Sequence, residues 1–177
     1  MNKVYAGIGA RKTPPKILHL MSRIAVRLGE LGYTLRSGGA AGADQAFLEG
    51  ALRSGSTVEL YLPKEGYRGH TAERYYGKRV TVSASIPQRA FTLAMQHHPG
   101  WERLSAFVKR LHARNAQILA GGDAESAPAK FVIAWTPRSE VVGGTGMSIK
   151  MARALGIPVV NLYEAGAVEE IARLVKE

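Results

Sequence analysis

The sequence predicts an α/β fold, a Rossmann-like doubly wound parallel sheet of about five strands with helices on both faces. Three observations carry that expectation. Apolar runs alternate with amphipathic stretches in the order βαβαβ, an irregular middle, then αβαβα, the pattern of right-handed βαβ crossovers. The strand runs are rich in Val, Ile, Leu and Tyr without strict alternation, which suits a sheet covered on both faces. Glycine clusters follow three of the strands. The 177 residues are expected to form a single domain over 1–177, interrupted by an irregular basic insert at about 63–100.

The first strand, near 3–8, runs into Gly7-Ile8-Gly9 and then Arg11, Lys12 and the pair Pro14-Pro15. Proline suits the start of the helix expected over 15–31, because its missing N–H would be unpaired there anyway. Gly32 ends that helix and Tyr33 opens a strand over 33–37. The helix near 42–54 places Ala46, Phe47, Ala51 and Leu52 on its inner face, and Gly55 hands over to a strand at 57–62. Residues 63–100 break the rhythm: Pro63, Gly66, Gly69, Gly77, Pro87, Pro99 and Gly100 punctuate them, and Val80 to Val82 is at best a short strand. A run this long without clear structure is usually functional. A helix is expected over 101–121, with Leu104, Phe107, Val108, Leu111, Ile118 and Leu119 inward, followed by a small-residue loop over 121–128. The strand 131–135, a helix at 146–155, Gly156 and Pro158, a strand at 157–162 and a helix at 164–176 complete the chain.

The three glycine corners carry the candidate site. They hold Gly7, Gly9 and Arg11; Ser37, Gly38, Gly39 and Asp44; and Gly143, Gly144, Thr145 and Gly146. Each leads from a strand to a helix, where free backbone N–H groups and the positive helix end favour an anion, most often phosphate. Glycine also serves tight packing at such corners. Ligands of open α/β sheets bind on the carboxyl rim where strand order reverses, so three corners on one rim point to a nucleotide or phosphate pocket. Gly7-x-Gly9 resembles the start of a dinucleotide fingerprint, but the third glycine is missing. Arg11 is placed to clamp a phosphate by a paired fork. Asp44 either caps its helix or orients a ribose hydroxyl, and Thr145 and Ser148 either meet a phosphate or cap theirs. Arg114 and Asn115 are adjacent polar residues on the 101–121 helix, and Arg114 shares a face with Gln117.

Net charge is +10, and residues 63–115 carry ten lysines and arginines against three glutamates. Lys64, Arg68, Arg74, Lys78 and Arg79, interleaved with Tyr67, Tyr75, Tyr76, Phe91 and Trp101, suit a single-stranded nucleic acid, or else form a solvated surface over ordinary core aromatics. The chain has no cysteine, which excludes disulfides, thiolate metal sites and a cysteine nucleophile. Its histidines show no metal-ligand spacing, and adjacent His97 and His98 point to a loop. No metal and no obligatory cofactor are expected. Neither a membrane span nor a signal core is visible, so a cytoplasmic protein is expected, with a homodimer through exposed helix faces an open expectation. No Ser-His-Asp order or close carboxylate pair is visible on the rim.

Ser37-Gly38-Gly39-Ala40-Ala41-Gly42-Ala43-Asp44, then His112-Ala113-Arg114-Asn115, then Gly143-Gly144-Thr145-Gly146 resemble the ordered motifs of the SMF/DprA–LOG superfamily. The resemblance covers nearly the whole chain outside 63–100. It implies a Rossmann-like domain with a phosphate or nucleotide pocket and, in the DNA-processing protein A branch, binding of single-stranded DNA. The lonely-guy branch, which hydrolyses the N-glycosidic bond of nucleoside monophosphates, follows its last glycine turn with a catalytic glutamate. Here Lys150 stands at that place, and Asn115 replaces a lysine after the arginine. A lysine does not supply the carboxylate needed beside an oxocarbenium-like transition state. The resemblance therefore implies a nucleotide- or nucleic-acid-phosphate-binding protein. A nucleotide N-glycosidase or phosphoribohydrolase using Arg114 with Glu140 or another carboxylate is the alternative.

Overall fold

The computed structural model describes residues 3–177. Six parallel strands form one sheet in the order β4-β3-β2-β1-β5-β6. In chain order the elements are β1 (Val4–Gly7), α1 (Pro15–Glu30), β2 (Thr34–Ser37), α2 (Ala43–Arg53), β3 (Val58–Tyr61), β4 (Val80–Ser83), α3 (Gln88–His97), α4 (Ala106–Ala120), β5 (Phe131–Ala134), α5 (Gly143–Ala154), β6 (Val159–Asn161) and α6 (Ala167–Lys176). The chain builds outward from β1 to β4, then crosses back to place β5 on the other side of β1. That reversal opens a crevice at the carboxyl ends of β1 and β5.

Side chains of the strands divide between two cores. Tyr5, Leu35, Leu60, Phe131 and Ile133 pack with α1, α2 and α6. Ala6, Ile8, Val132 and Ala134 pack with α3, α4 and α5. Successive residues of β1 and β5 thus serve opposite faces, and both faces are covered by helices.

Three differences from the sequence expectation concern the middle of the chain. The sheet has a sixth strand: β4 pairs along β3 from Val80 to Ser83. Its half-exposed side chains leave little periodic signal, because an edge strand buries less. Residues 63–100 are not irregular throughout. They hold two 3-10 turns, at Tyr67–Gly69 and Glu73–Tyr75, then β4, and then α3, whose buried residues are Ala90 and Ala94. Small alanines at i and i+4 make a weak apolar stripe, and the flanking prolines read as punctuation. Finally, α4 begins at Ala106 and not at 101. The Ser105 hydroxyl accepts a hydrogen bond from the Val108 N–H (3.3 Å), and this cap separates the helix from a 3-10 turn at Trp101–Arg103.

Helix α5 starts at Gly143, so the third glycine cluster forms the first turn of the helix and does not precede it. Gly143 has the positive φ that suits glycine at such an entry (64°).

Candidate functional site at the carboxyl rim

A cavity of about 750 Å³ opens at the ends of β1 and β5. All three corners contribute to its wall: Gly9, Arg11 and Lys12 from the first, Ala40 and Asp44 from the second, and Gly143, Gly144, Thr145 and Ser148 from the third. Helix α4 adds His112, Arg114 and Asn115, and the insert adds Tyr67. Ile8, Val108, Leu111, Val142 and Trp135 form an apolar side. Glycine corners, the cations Arg11, Lys12 and Arg114, and apolar side chains therefore line one hollow.

The first two corners are locked together. The Ser37 hydroxyl donates to the Gly7 carbonyl (2.8 Å). Gly42 has φ +83°, and a Cβ there would lie 2.7 Å from the Arg11 carbonyl oxygen, so the loop needs glycine for both conformation and contact. Gly38 is squeezed by side chains instead: a Cβ would fall 2.0 Å from Arg114 Nη1 and 2.9 Å from Asp44 Oδ2. The cation and the carboxylate thus flank the same loop residue.

Arg114 is 5% exposed. Its Nη1 donates to the carbonyls of Gly38 and Tyr61, while its buried Nε has no hydrogen-bond partner. The Tyr67 ring centroid lies 6.0 Å from the guanidinium carbon. Burial pulls the guanidinium below its usual range, and the charge of Asp44 and the Tyr67 phenol oppose that pull. Asp44 accepts from the Ala40 N–H (3.2 Å). Burial pushes its carboxyl up, against Arg114 and the amides of Ala40 and Gly38, which pull it down.

Asp44 does not cap α2. Gly42 occupies the N-cap position without a side-chain bond, and the Asp44 carboxylate turns back onto the glycine loop because its first-turn position faces that loop. Ser148 donates to the Gly144 carbonyl (3.1 Å) within its own helix, and Val142 at the α5 N-cap offers no side-chain acceptor. Neither α2 nor α5 has its N-terminal amides satisfied by a cap, and both open on the rim.

Of the candidate residues, Gly9, Arg11, Asp44, Arg114, Asn115, Gly143, Gly144 and Thr145 line the cavity. Gly7, Ser37, Gly38, Gly39 and Gly146 are buried beneath it. Gly146 packs against Val141, whose carbonyl carbon would be 2.4 Å from a Cβ. Lys64, Arg68, Arg74, Lys78 and Arg79 are exposed and lie outside the lining. Two aromatics grouped with them are not free to stack on bases: Tyr75 and Trp101 are buried. Tyr75 donates its hydroxyl to His70 Nδ1 (2.5 Å), and His70 Nε2 donates to the Gly39 carbonyl (3.0 Å). Tyr76, in contrast, is 93% exposed. Glu140 accepts from Arg138 Nε (2.8 Å); neither it nor exposed Lys150 lines the cavity. The sequence does not single out Lys12, His112 or Trp135 for the wall, since nothing in local spacing tells which side chains of the loops after β1 and β5, or of α4, turn toward the cavity.

Among the described residues no cluster of His, Asp and Glu is arranged to hold a metal, and no helix is long and apolar enough to cross a membrane.

No protein-family model matches the chain, and no curated protein matches it. Solved structures do. The Moco carrier protein of Chlamydomonas reinhardtii superposes with a TM-score of 0.58 at 15% identity, covering 100% of both chains. DNA processing protein A of Streptococcus pneumoniae gives 0.56 at 16% identity over 98% of this chain and 56% of that one. The chain therefore spans about half the length of the pneumococcal protein. DNA processing protein A of Helicobacter pylori, a protein with a single-stranded DNA binding mode, gives 0.56 at 18% identity over 97% of this chain and 72% of that one. These likenesses establish the fold, a Rossmann-like α/β fold shared with the Moco carrier protein and with DNA processing protein A.

Proposed function

We propose that the chain binds the phosphate-bearing part of a nucleotide or nucleotide-derived molecule at the carboxyl rim. One observation carries the reading: buried Arg114 keeps an unpartnered Nε in the wall of a cavity onto which two uncapped helix starts also open. A buried donor without an acceptor is costly, of order 1–3 kcal/mol, and an anion offsets that cost at the point where the helix ends favour it. Tyr67 and the apolar wall suit a flat heterocycle at the other end. Binding without turnover is the reading favoured here. The lining carboxylate, Asp44, is engaged with the glycine loop, and Glu140 is held by Arg138.

The exposed cations of the insert favour a second, finer reading in which the anion belongs to a single-stranded nucleic acid that continues over the insert. Calorimetry against nucleoside monophosphates and against a single-stranded oligonucleotide separates the two. Cavity binding of a small nucleotide predicts saturable one-to-one heats that vanish in Arg114→Met. Nucleic-acid binding predicts an affinity falling steeply with salt, and a salt slope reduced by about 2 when Arg74, Lys78 and Arg79 are changed to Gln. Folded protein that binds neither probe refutes both readings.

A further inference from the structure

Outside the groups already used, the cavity wall holds one titratable side chain that faces both the ligand space and a second histidine. His112 lines the cavity and is 9% exposed. Behind it, at the end of α3, the His98 ring lies 4.7 Å away between centroids at an angle of 61°. His98 is held in place: its Nδ1 accepts from the Gly100 N–H (3.1 Å), and its ring sits edge-on to Trp101.

We propose that His112 takes up a proton from solvent when an anion enters the cavity, so that anion binding tightens as pH falls. The inference rests on the anion-site reading above and adds the group that tunes it.

The charges around His112 make this proton conditional. On its own helix stands Arg114, and across the cavity stand Arg11 and Lys12 from the β1–α1 corner. The end of α3 contributes His98. The one carboxylate in the wall is Asp44, from the start of α2, and it lies against the Gly38 loop that Arg114 also grips. The insert contributes the Tyr67 phenol, while α5 contributes Thr145 and Ser148 and no charge. The wall that His112 shares therefore carries three cations, Arg11, Lys12 and Arg114, against one carboxylate. Burial, then His98, then Arg114 hold its imidazole below the usual histidine range. An anion in the cavity reverses the balance at short range, because it pairs with the imidazolium in a site that screens poorly. Thermodynamic reciprocity then requires that protonation tighten the anion.

Inorganic sulfate is the probe, because it stays divalent from pH 5 to pH 8 and any titration seen belongs to the protein. The His112 ring resonance is followed by NMR across that range with and without sulfate. The expected result is an upward move of the His112 midpoint in sulfate, and a sulfate affinity about tenfold tighter at pH 5 than at pH 8, the factor that accompanies a tenfold change in imidazole proton affinity. In His112→Gln the affinity loses its pH dependence. In His98→Gln the His112 midpoint rises in the free protein, because the neighbouring ring that disfavours a proton on His112 has been removed. Sulfate binding that is independent of pH, or whose pH dependence survives in His112→Gln, overturns the proposal and leaves the anion site standing. If His112→Gln does not fold, the wild-type midpoint with and without sulfate decides alone. No sulfate binding at any pH overturns the anion site and this proposal with it.

Discussion

Replacing Arg114 with methionine tests the interior of the site most directly. Methionine keeps much of the side-chain volume, so the loss is chiefly electrostatic. Two carbonyls, Gly38 and Tyr61, lose their guanidinium donor, and buried Asp44 loses its cation. Hydrogen bonds to charged groups are worth about 1.5–3 kcal/mol each. Removing one member of a buried charge pair costs about 3–5 kcal/mol, a figure that already includes the relief of not burying the guanidinium. The expected loss is therefore about 3–5 kcal/mol, a fall in Tm on the order of 10 °C. The sign of its pH dependence follows from Asp44. Burial raises that carboxyl above its ordinary value, so its contribution to stability is complete below about 3.8 and is lost as pH rises through the folded-state value. Taking away Arg114 raises the folded-state value further, so the penalty grows toward neutral pH and shrinks on acidification. Urea denaturation of both proteins at pH 4.5 and 7.5 measures it, and Asp44→Asn in the Arg114→Met background should recover much of the loss. A penalty below about 1 kcal/mol, or one unchanged between the two pH values, would show that the two charges are not coupled as described.

Gly38→Ala drives a methyl group into Arg114 Nη1 at 2.0 Å; overpacking of this kind costs about 1–3 kcal/mol, and nucleotide or sulfate affinity should fall tenfold or more as the guanidinium shifts. An affinity equal to that of the unaltered protein would mean that Arg114 does not meet the ligand. Tyr75→Phe strips the donor from buried His70 Nδ1 and should lower stability by about 1–3 kcal/mol at pH 7.5 in denaturant melts. Burial holds the His70 imidazole below its ordinary 6.5, so the unfolded chain binds the extra proton and stability drains away as pH falls below that value. His70→Asn should flatten this part of the pH profile, and an unchanged slope would remove His70 from the account.

The doubly wound sheet was legible because its strands are rich in Val, Ile, Leu and Tyr and three of its βα corners carry glycine clusters. Helix α1 is typical: Pro15 opens it, Gly32 follows it, and Met21, Ile24, Ala25 and Leu28 fall on its buried face. Where burial is shared or slight the signal fails. Strand β4 lies at the sheet edge, and α3 packs through Ala90 and Ala94, residues too small to mark a face in sequence. The corners were legible as corners, but the reasons for their glycines were not. Gly38 is required by a side chain 76 residues away and Gly42 by the backbone of Arg11, and no local pattern reports such contacts. Asp44 misled for the same reason: its position marks a helix start, while its partners belong to the loop before it.

Helix α4 explains how a long insert comes to sit at a defined place beside the cavity. Arg110 donates from Nε to the Pro63 carbonyl (2.5 Å) and from Nη2 to the Ala84 carbonyl (3.3 Å), so one side chain ties the point where the chain leaves β3 to the point where it leaves β4. One turn further along, Arg114 grips Gly38 and Tyr61, and Gln117 donates to the Ser85 carbonyl (2.9 Å). These three residues, at i, i+4 and i+7, fall on one stripe of the helix. His70 adds a second tie, from within the insert to the Gly39 carbonyl. The insert is thus anchored by the same helix that supplies the buried cation, and its 3-10 turn delivers Tyr67 to the cavity wall. A ligand that displaces Tyr67 or draws Arg114 toward itself must work against anchors shared by both.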